Sequence, residues 1–304
     1  MSGLAHTAER RARSPRRFRP ALIALAALAV SAVSCAPAPP SAPAGGVVSA
    51  EVSETVRSAV PDGYGLVFSD EFEGESLDTE KWRTEMSWGA TTTSELERYS
   101  PSALRVHDGI LSIVASKAPG QARPYTSGTI TTRGSFDFTY GYLEMRARIP
   151  AGKGLCPAFW TLCSNEDLHK EIDVTEVLGQ QPYRSYMTYH YRVRSGSKTK
   201  YHTWYDGPDL SEGFHTYAVK WTPGRLVWYL DGVKRYEVAD DANVPTQPMY
   251  LIANLAVGGM WPGAPDASTK FPAAFDIDYM RVYQVDEAGP GGDQNGDGPL
   301  PHER

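Results

Sequence analysis

The sequence predicts an all-β fold, a sandwich of two sheets spanning residues 64–284 of the 304. Short β-branched and aromatic runs bounded by turn residues predict it first. Among these runs are Leu111-Ser-Ile-Val-Ala, Tyr142-Leu-Glu-Met-Arg-Ala-Arg-Ile, Thr216-Tyr-Ala-Val-Lys-Trp and Met249-Tyr-Leu-Ile-Ala-Asn-Leu. Asp231-Gly232, between Arg225-Leu-Val-Trp-Tyr-Leu and Val233-Lys-Arg-Tyr, is a strong hairpin signal. No sustained helical periodicity and no internal repeat separate the strands, so an alternating α/β plan is excluded. Roughly 220 residues of this pattern suffice for a full core between two sheets.

The segments before and after that domain read differently. Arg10, Arg11, Arg13, Arg16, Arg17 and Arg19 form a cationic stretch, and the apolar run from Ala21 to Val33 is too short for a lasting membrane span. Residues 1–34 are therefore expected to be an export signal. Ala32-Val-Ser-Cys35 resembles a bacterial lipobox, which would make Cys35 the lipidated mature N-terminus; plain secretion is the alternative. Residues 35–63, rich in Pro, Ala, Ser and Gly, read as a linker that cannot bury enough surface to fold. Residues 285–304 form a polar tail. Within it Asp293, Asn295 and Asp297 open like an EF-hand loop, but Arg304 stands where the bidentate Glu belongs, and disorder is expected.

Composition narrows the partners. A net charge of −6 speaks against nucleic acid, whose phosphates demand basic residues. The 17 Tyr and 7 Trp suit sugars, whose CH faces stack on rings, although most rings in such a chain fill the core. Contact with a membrane is expected only through the lipid anchor, and the protein is expected to act as a monomer. Cys156 and Cys163 flank a predicted strand whose seven steps hold them roughly 23 Å apart. A disulfide needs Cα atoms within about 7 Å, so two free, buried thiols are expected.

The informative stretch is Glu171-Ile-Asp-Val-Thr-Glu-Val177, a strand by its β-branched content. With a side-chain period of two, Glu171 and Asp173 share one face while Ile172 and Val174 take the other. Strict alternation would send Glu176 into the core, where an unpaired carboxylate is costly. One extra residue, a β-bulge at Val174-Thr175, returns all three acids to one face. Three neighbouring acids repel one another and raise at least one pKa. Glycoside hydrolysis needs that arrangement: one carboxylic acid still protonated, and one carboxylate to attack or to activate water. A solvated acidic face or a cation site could carry the same triplet.

The surrounding residues extend the pattern. Glu171-Ile-Asp-Val-Thr-Glu176 resembles the E-x-D-x-x-E signature of glycoside hydrolase family 16. Val67-Phe-Ser-Asp-Glu-Phe72, Ser94-Glu-Leu-Glu-Arg-Tyr99, Tyr125 to Arg133 and Tyr140 to Arg146 are similar to family segments too. So are Gly154 to Trp160, Phe214 to Trp221, Gly258-Gly-Met-Trp-Pro-Gly263 and Asp278 to Tyr283. The resemblance implies a concanavalin-like β-jelly roll of two antiparallel sheets with an open concave cleft. It implies a retaining endo-hydrolase of β-1,3- or mixed β-1,3/1,4-glucan, laminarinase-like, with Glu171 as nucleophile, Glu176 as acid/base and Asp173 tuning both. Trp160 would stack on sugar, His190 would orient the acid, Trp261 would form a distal platform, and Glu95 and Arg133 would bond sugar hydroxyls. No cofactor is required. The family often holds a structural calcium, for which Glu71, the Gly109 carbonyl and Asp278 match.

Four positions depart from the family pattern. Cys156 stands where a cleft tryptophan is usual, Ser94 and Met260 where Asn is usual, and Lys220 where Glu is usual. With the acids intact, these changes bear on the substrate rather than the chemistry. A transglycosylase, a galactan hydrolase of the agarose or carrageenan type, and a non-catalytic lectin remain alternatives on the same scaffold.

Overall fold

A computed structural model describes residues 60–91, 94–165, 170–192 and 197–286. The segment expected to be an export signal, Cys35, most of the expected linker and nearly all of the polar tail, with its EF-hand-like start, lie outside the described residues. Among those residues no α-helix occurs, as the missing helical periodicity predicts.

In chain order the strands begin with β1 (Tyr64–Asp70), β2 (Glu97–Tyr99), β3 (Leu104–His107), β4 (Ile110–Lys117), β5 (Tyr125–Ser127) and β6 (Thr129–Thr131). Next come β7 (Gly141–Arg148), β8 (Leu155–Cys163), β9 (Glu171–Val177), β10 (Arg184–Arg192) and β11 (Lys198–Asp206). The chain continues with β12 (His215–Thr222), β13 (Arg225–Leu230), β14 (Val233–Ala239), β15 (Met249–Val257) and β16 (Ala273–Val285). One sheet runs β14-β13-β12-β7-β16-β4-β5-β2, with β1 also on β16 and β3 also on β4; the other runs β11-β10-β9-β8-β15-β6. The pairing is antiparallel except between β2 and β5. Consecutive neighbours such as β12-β13-β14 lie beside neighbours far apart in sequence, such as β7 and β16, so the two sheets are interwoven.

Asp231 and Gly232 have φ of 52° and 70° and join Leu230 to Val233 as a two-residue hairpin. That is the turn the sequence predicts, because only such a left-handed pair matches the twist of the flanking strands. Asp108 and Gly109 repeat the device between β3 and β4, with φ of 50° and 72°.

Inward-facing residues of both sheets form one core: Leu143, Met145, Val219 and Trp221 from one side, Phe159, Ile172, Tyr189 and Leu251 from the other. Cys156 and Cys163 are both buried and free, at opposite ends of β8, as the extended-strand reading requires.

The bulge in β9 is where the sequence places it. Asp173 lies opposite Trp160 on β8 and Thr188 on β10, whereas Glu176 lies opposite Ala158 and Tyr186. Three steps along β9 thus match two steps on each neighbour. Val174 and Thr175 are both buried, and the Thr175 hydroxyl bonds Ser185 Oγ at 2.8 Å. A bulge interrupts the ladder and leaves backbone groups to be satisfied elsewhere. Trp228, fully buried on β13 in the opposite sheet, donates its indole N–H across the core to the Asp173 carbonyl at 2.8 Å.

Replacing Trp228 by Phe keeps most of the volume but leaves that carbonyl without its donor. The expected cost is about 1–3 kcal/mol, read as a lower urea midpoint at unchanged slope.

Candidate active site

The strand parity of β8, β9, β10 and β15 determines what stands in the cleft. Residues directly opposite one another across an antiparallel ladder share a face. Glu171 lies opposite His190, Asp173 opposite Thr188 and Trp160, and Glu176 opposite Tyr186 and Ala158. The three acids therefore emerge on one face with Trp160, His190, Cys156 and Asn254. The cavity above them is lined further by Ser94, Glu95 and the Gly258–Pro262 loop with Trp261.

Electrostatics within the triplet is uneven. Asp173 is buried, and that burial pushes its carboxyl up to about 7, against the opposing pull of a hydrogen bond with Glu171 and the Lys200 charge. His190 Nε2 lies 3.3 Å from Asp173 Oδ2 and 3.8 Å from Glu171 Oε1, bridging the two. Glu176 keeps part of its surface open to the cleft. Burial of the rest, then the charges of Asp173 and Glu171, hold its pKa well above the ordinary value; His190 and Lys200 oppose the rise. One acid is thus kept protonated beside a hydrogen-bonded pair that shares negative charge, the division of labour that two-carboxylate chemistry needs. The oxygens of Glu171 and Asp173 and a nitrogen of His190 lie within 4.8 Å of one another, close enough for a cation site; here Glu171 and Asp173 share a hydrogen bond and His190 Nε2 approaches both.

The predicted sugar contacts divide. Half-buried Trp160 donates its N–H to Asn254 Oδ1 at 2.8 Å, and Asn254 donates to Tyr99 Oη at 2.9 Å, which fixes the indole plane. Exposed Trp88 lies 6.1 Å from Trp160, ring to ring, and widens that wall. Trp261 stands edge-on to Tyr186 at 4.8 Å, on a loop whose Gly258 has φ of 78° and would drive a Cβ to 2.5 Å from Leu96. Glu95 reaches the cavity, whereas Arg133 does not. β6 ends at Thr131, and a turn closed by Ser135 N–H and Phe136 N–H on the Thr132 carbonyl leaves Arg133 exposed outside it.

The calcium expectation also needs correction. Both oxygens of Glu71 accept from Arg281, at 2.8 and 2.7 Å, and Asp278 is ion-paired to Arg146. Two guanidiniums already balance these carboxylates and would repel a dication there. Gly109 is explained by its turn. These residues do not fit a calcium as arranged.

Of the four departures from the family pattern, Cys156, Ser94 and Met260 line the cleft. Lys220 does not; its ammonium lies 5.5 Å above the Tyr64 ring. Residues that sequence reasoning passed over are Asn254, Glu97, Lys200, Tyr186 and Trp204. Parity carried to the neighbouring strands identifies three of them, since Tyr186, Lys200 and Trp204 share the face of His190. Asn254 and Glu97 depend on long-range register that no local pattern encodes.

Comparisons with known proteins agree with this geometry. A sequence model described as Glycosyl hydrolases family 16 matches residues 91–281. A β-glucanase of Rhodothermus marinus is 34% identical, covering 72% of this chain and 85% of that protein. Glucan endo-1,3-β-glucosidase A1 of Niallia circulans is also 34% identical, but the chain spans only 38% of its length. The structure of an endo-β-1,3-glucanase from Pyrococcus furiosus superposes with a TM-score of 0.66 at 35% identity, covering 72% of this chain and 94% of that one.

A second carboxyl pair lies at the edge of the cleft. Glu97 is fully buried, accepts from Val257 N–H at 2.8 Å, and is hydrogen-bonded to Glu95. Burial, then Glu95, pushes its carboxyl from 4.5 up to about 8. Because the fold prefers the protonated form, this group's stabilising contribution is complete below about pH 4.5 and is lost as the pH rises through about 8. Glu97→Gln keeps a neutral hydrogen-bonding group at every pH. Thermal melts are expected to show the parent losing stability relative to this variant between about pH 4.5 and about pH 8; parallel curves would contradict it.

Proposed function

The chain belongs to glycoside hydrolase family 16 and is an O-glycosyl hydrolase, and from this premise we propose that it cleaves β-1,3- or mixed β-1,3/1,4-glucan internally, with retention. The observation that carries the proposal is the bulged strand, which presents a protonated Glu176 and a charge-sharing Glu171–Asp173 pair on one cleft face. In the first step Glu171 attacks the anomeric carbon while Glu176 gives its proton to the departing glycosidic oxygen. Glu176, now a carboxylate, then removes a proton from water, which attacks the glycosyl ester and frees Glu171. Asp173 holds the nucleophile by hydrogen bond, and His190 steadies the pair from β10. Trp160, locked by Asn254, offers a stacking face beside the reacting sugar.

Glucan as substrate is supported by a glucan endo-1,3-β-glucosidase and an endo-1,3-1,4-β-glycanase among the relatives and by a related endo-β-1,3(4)-glucanase seen with a glucan oligosaccharide at its active site. The arginine-rich start, the apolar run and Cys35 support export and lipid anchoring at a cell surface. Mass spectrometry of the mature N-terminus tests that; an unmodified Cys35, or cleavage elsewhere, would overturn it.

The enzyme is expected to release oligosaccharides from laminarin and lichenan, with the β-anomer appearing first by proton NMR. An α-anomer appearing first would overturn retention. Glu171→Gln is expected to abolish release, and Glu176→Gln to lower kcat by about 10²–10⁴-fold. Silence on both glucans with cleavage of a galactan would overturn the substrate and leave the mechanism.

A further inference from the structure

We propose that the cleft continues past the carboxylates across β10 and β11 as a second sugar-binding platform, built on Trp204 with Tyr186 and Trp261, that holds further residues of the polysaccharide on that side. The proposal deepens the glucanase reading and rests on it.

The placement follows from register. Glu176 lies opposite Tyr186, and Tyr186 lies opposite Trp204, so the three form one row across β9, β10 and β11 on the cleft face. Two strand spacings put Trp204 about 10 Å from the Glu176 backbone, along the direction in which a chain crossing the sheet would run. Trp160, Asn254 and Glu95 stand on the other side of the acids, over β8 and β15. A polymer seated on those residues and passing the acids must next cross β10 and β11.

The row is contiguous and prearranged. Tyr186 touches Trp261 edge-on at 4.8 Å, stacks near-parallel on His202 at 5.8 Å and meets Trp204 at 6.5 Å. Trp204 is 52% exposed and Trp261 44%, in a protein that buries Trp82, Trp221 and Trp228 completely. The Arg184 guanidinium lies 5.1 Å from the Trp204 ring centre and is itself held by both oxygens of Asp206, at 2.5 and 2.7 Å. That clamp sets the indole before any ligand arrives, which lowers the ordering cost of binding.

Polar groups suited to hydroxyls accompany the rings. Thr188, Lys200 and His202 line the hollow between Glu176 and Trp261. Thr188 Oγ1 bonds His202 Nδ1 at 2.9 Å, which fixes the imidazole in the wall of the hollow. Burial, with the Lys200 and His190 charges, lowers the pKa of His202 and favours the neutral ring. Apolar ring faces flanked by neutral and cationic donors match a sugar, with CH groups on one face and hydroxyls at the rim. Binding energy gained there is remote from the scissile bond and grows only with chains long enough to reach it.

The test compares the enzyme with Trp204→Ala and Trp204→Phe on laminarin and on laminari-oligosaccharides of increasing length. Alongside it, Glu171→Gln is run with and without Trp204→Ala in native gels containing laminarin, lichenan or a soluble galactan. Trp204→Ala is expected to lower kcat/KM on long chains roughly 3- to 10-fold, to spare the shortest cleaved oligosaccharide, and to lose gel retardation; Trp204→Phe is expected to recover most of the effect. A uniform fall at every chain length, or equal retardation with and without Trp204, would overturn the platform. So would a change in oligomeric state on removing Trp204, which would make the patch a contact between copies. A parent enzyme silent on both glucans would overturn the glucanase reading instead, while the retardation pair still decides the platform.

Discussion

A β-strand allows its side chains only two faces, and the catalytic arrangement depends on breaking that rule once. Glu171 and Asp173 obey the alternation, and Glu176 escapes the core because Val174 and Thr175 share the space opposite single residues on both neighbouring strands. The irregularity is supported from across the protein. Ser185 takes up the Thr175 hydroxyl, and Trp228 reaches over from the second sheet to the Asp173 carbonyl. The core of the sandwich and the chemistry of the cleft thus meet at one backbone oxygen.

Gathering acids on one face creates a problem that the surroundings turn to use. Repulsion and burial keep Glu176 protonated, while His190 and Lys200, directly opposite each other on β10 and β11, limit how far the rise can go. The same logic recurs at Glu95 and Glu97, where a buried carboxyl keeps its proton behind one that faces the cleft. Away from the cleft, carboxylates are neutralised instead: Glu71 by Arg281, Asp278 by Arg146, Asp206 by Arg184.

Much of this was legible in the sequence because it is local. The Asp231-Gly232 turn, the free thiols at either end of β8 and the bulge at Val174-Thr175 each follow from a period of two or a required φ. The bulge in particular follows from a cost, since Glu176 could not be left in the core. What escaped was long-range. The Asn254–Trp160–Tyr99 network joins residues up to 155 positions apart, and Arg133 left the cleft because β6 stops at Thr131. The calcium ligands matched by position alone, and position does not say which arginine sits opposite. Three of the four departures, Ser94, Cys156 and Met260, collect in the cleft, so this protein's individuality lies in the lining of that cleft.

The most direct test of the parity constraint is the kcat/KM of a Thr175 deletion variant on laminarin, with a cooperative melt establishing that it folds. Deleting one residue removes the bulge and brings Glu176 onto the face of Glu171 and Asp173 by plain alternation, in register with both neighbours. Hydrolysis retained above the level of Glu176→Gln is the predicted result. A folded deletion variant no more active than Glu176→Gln would contradict the claim that the bulge serves to restore parity.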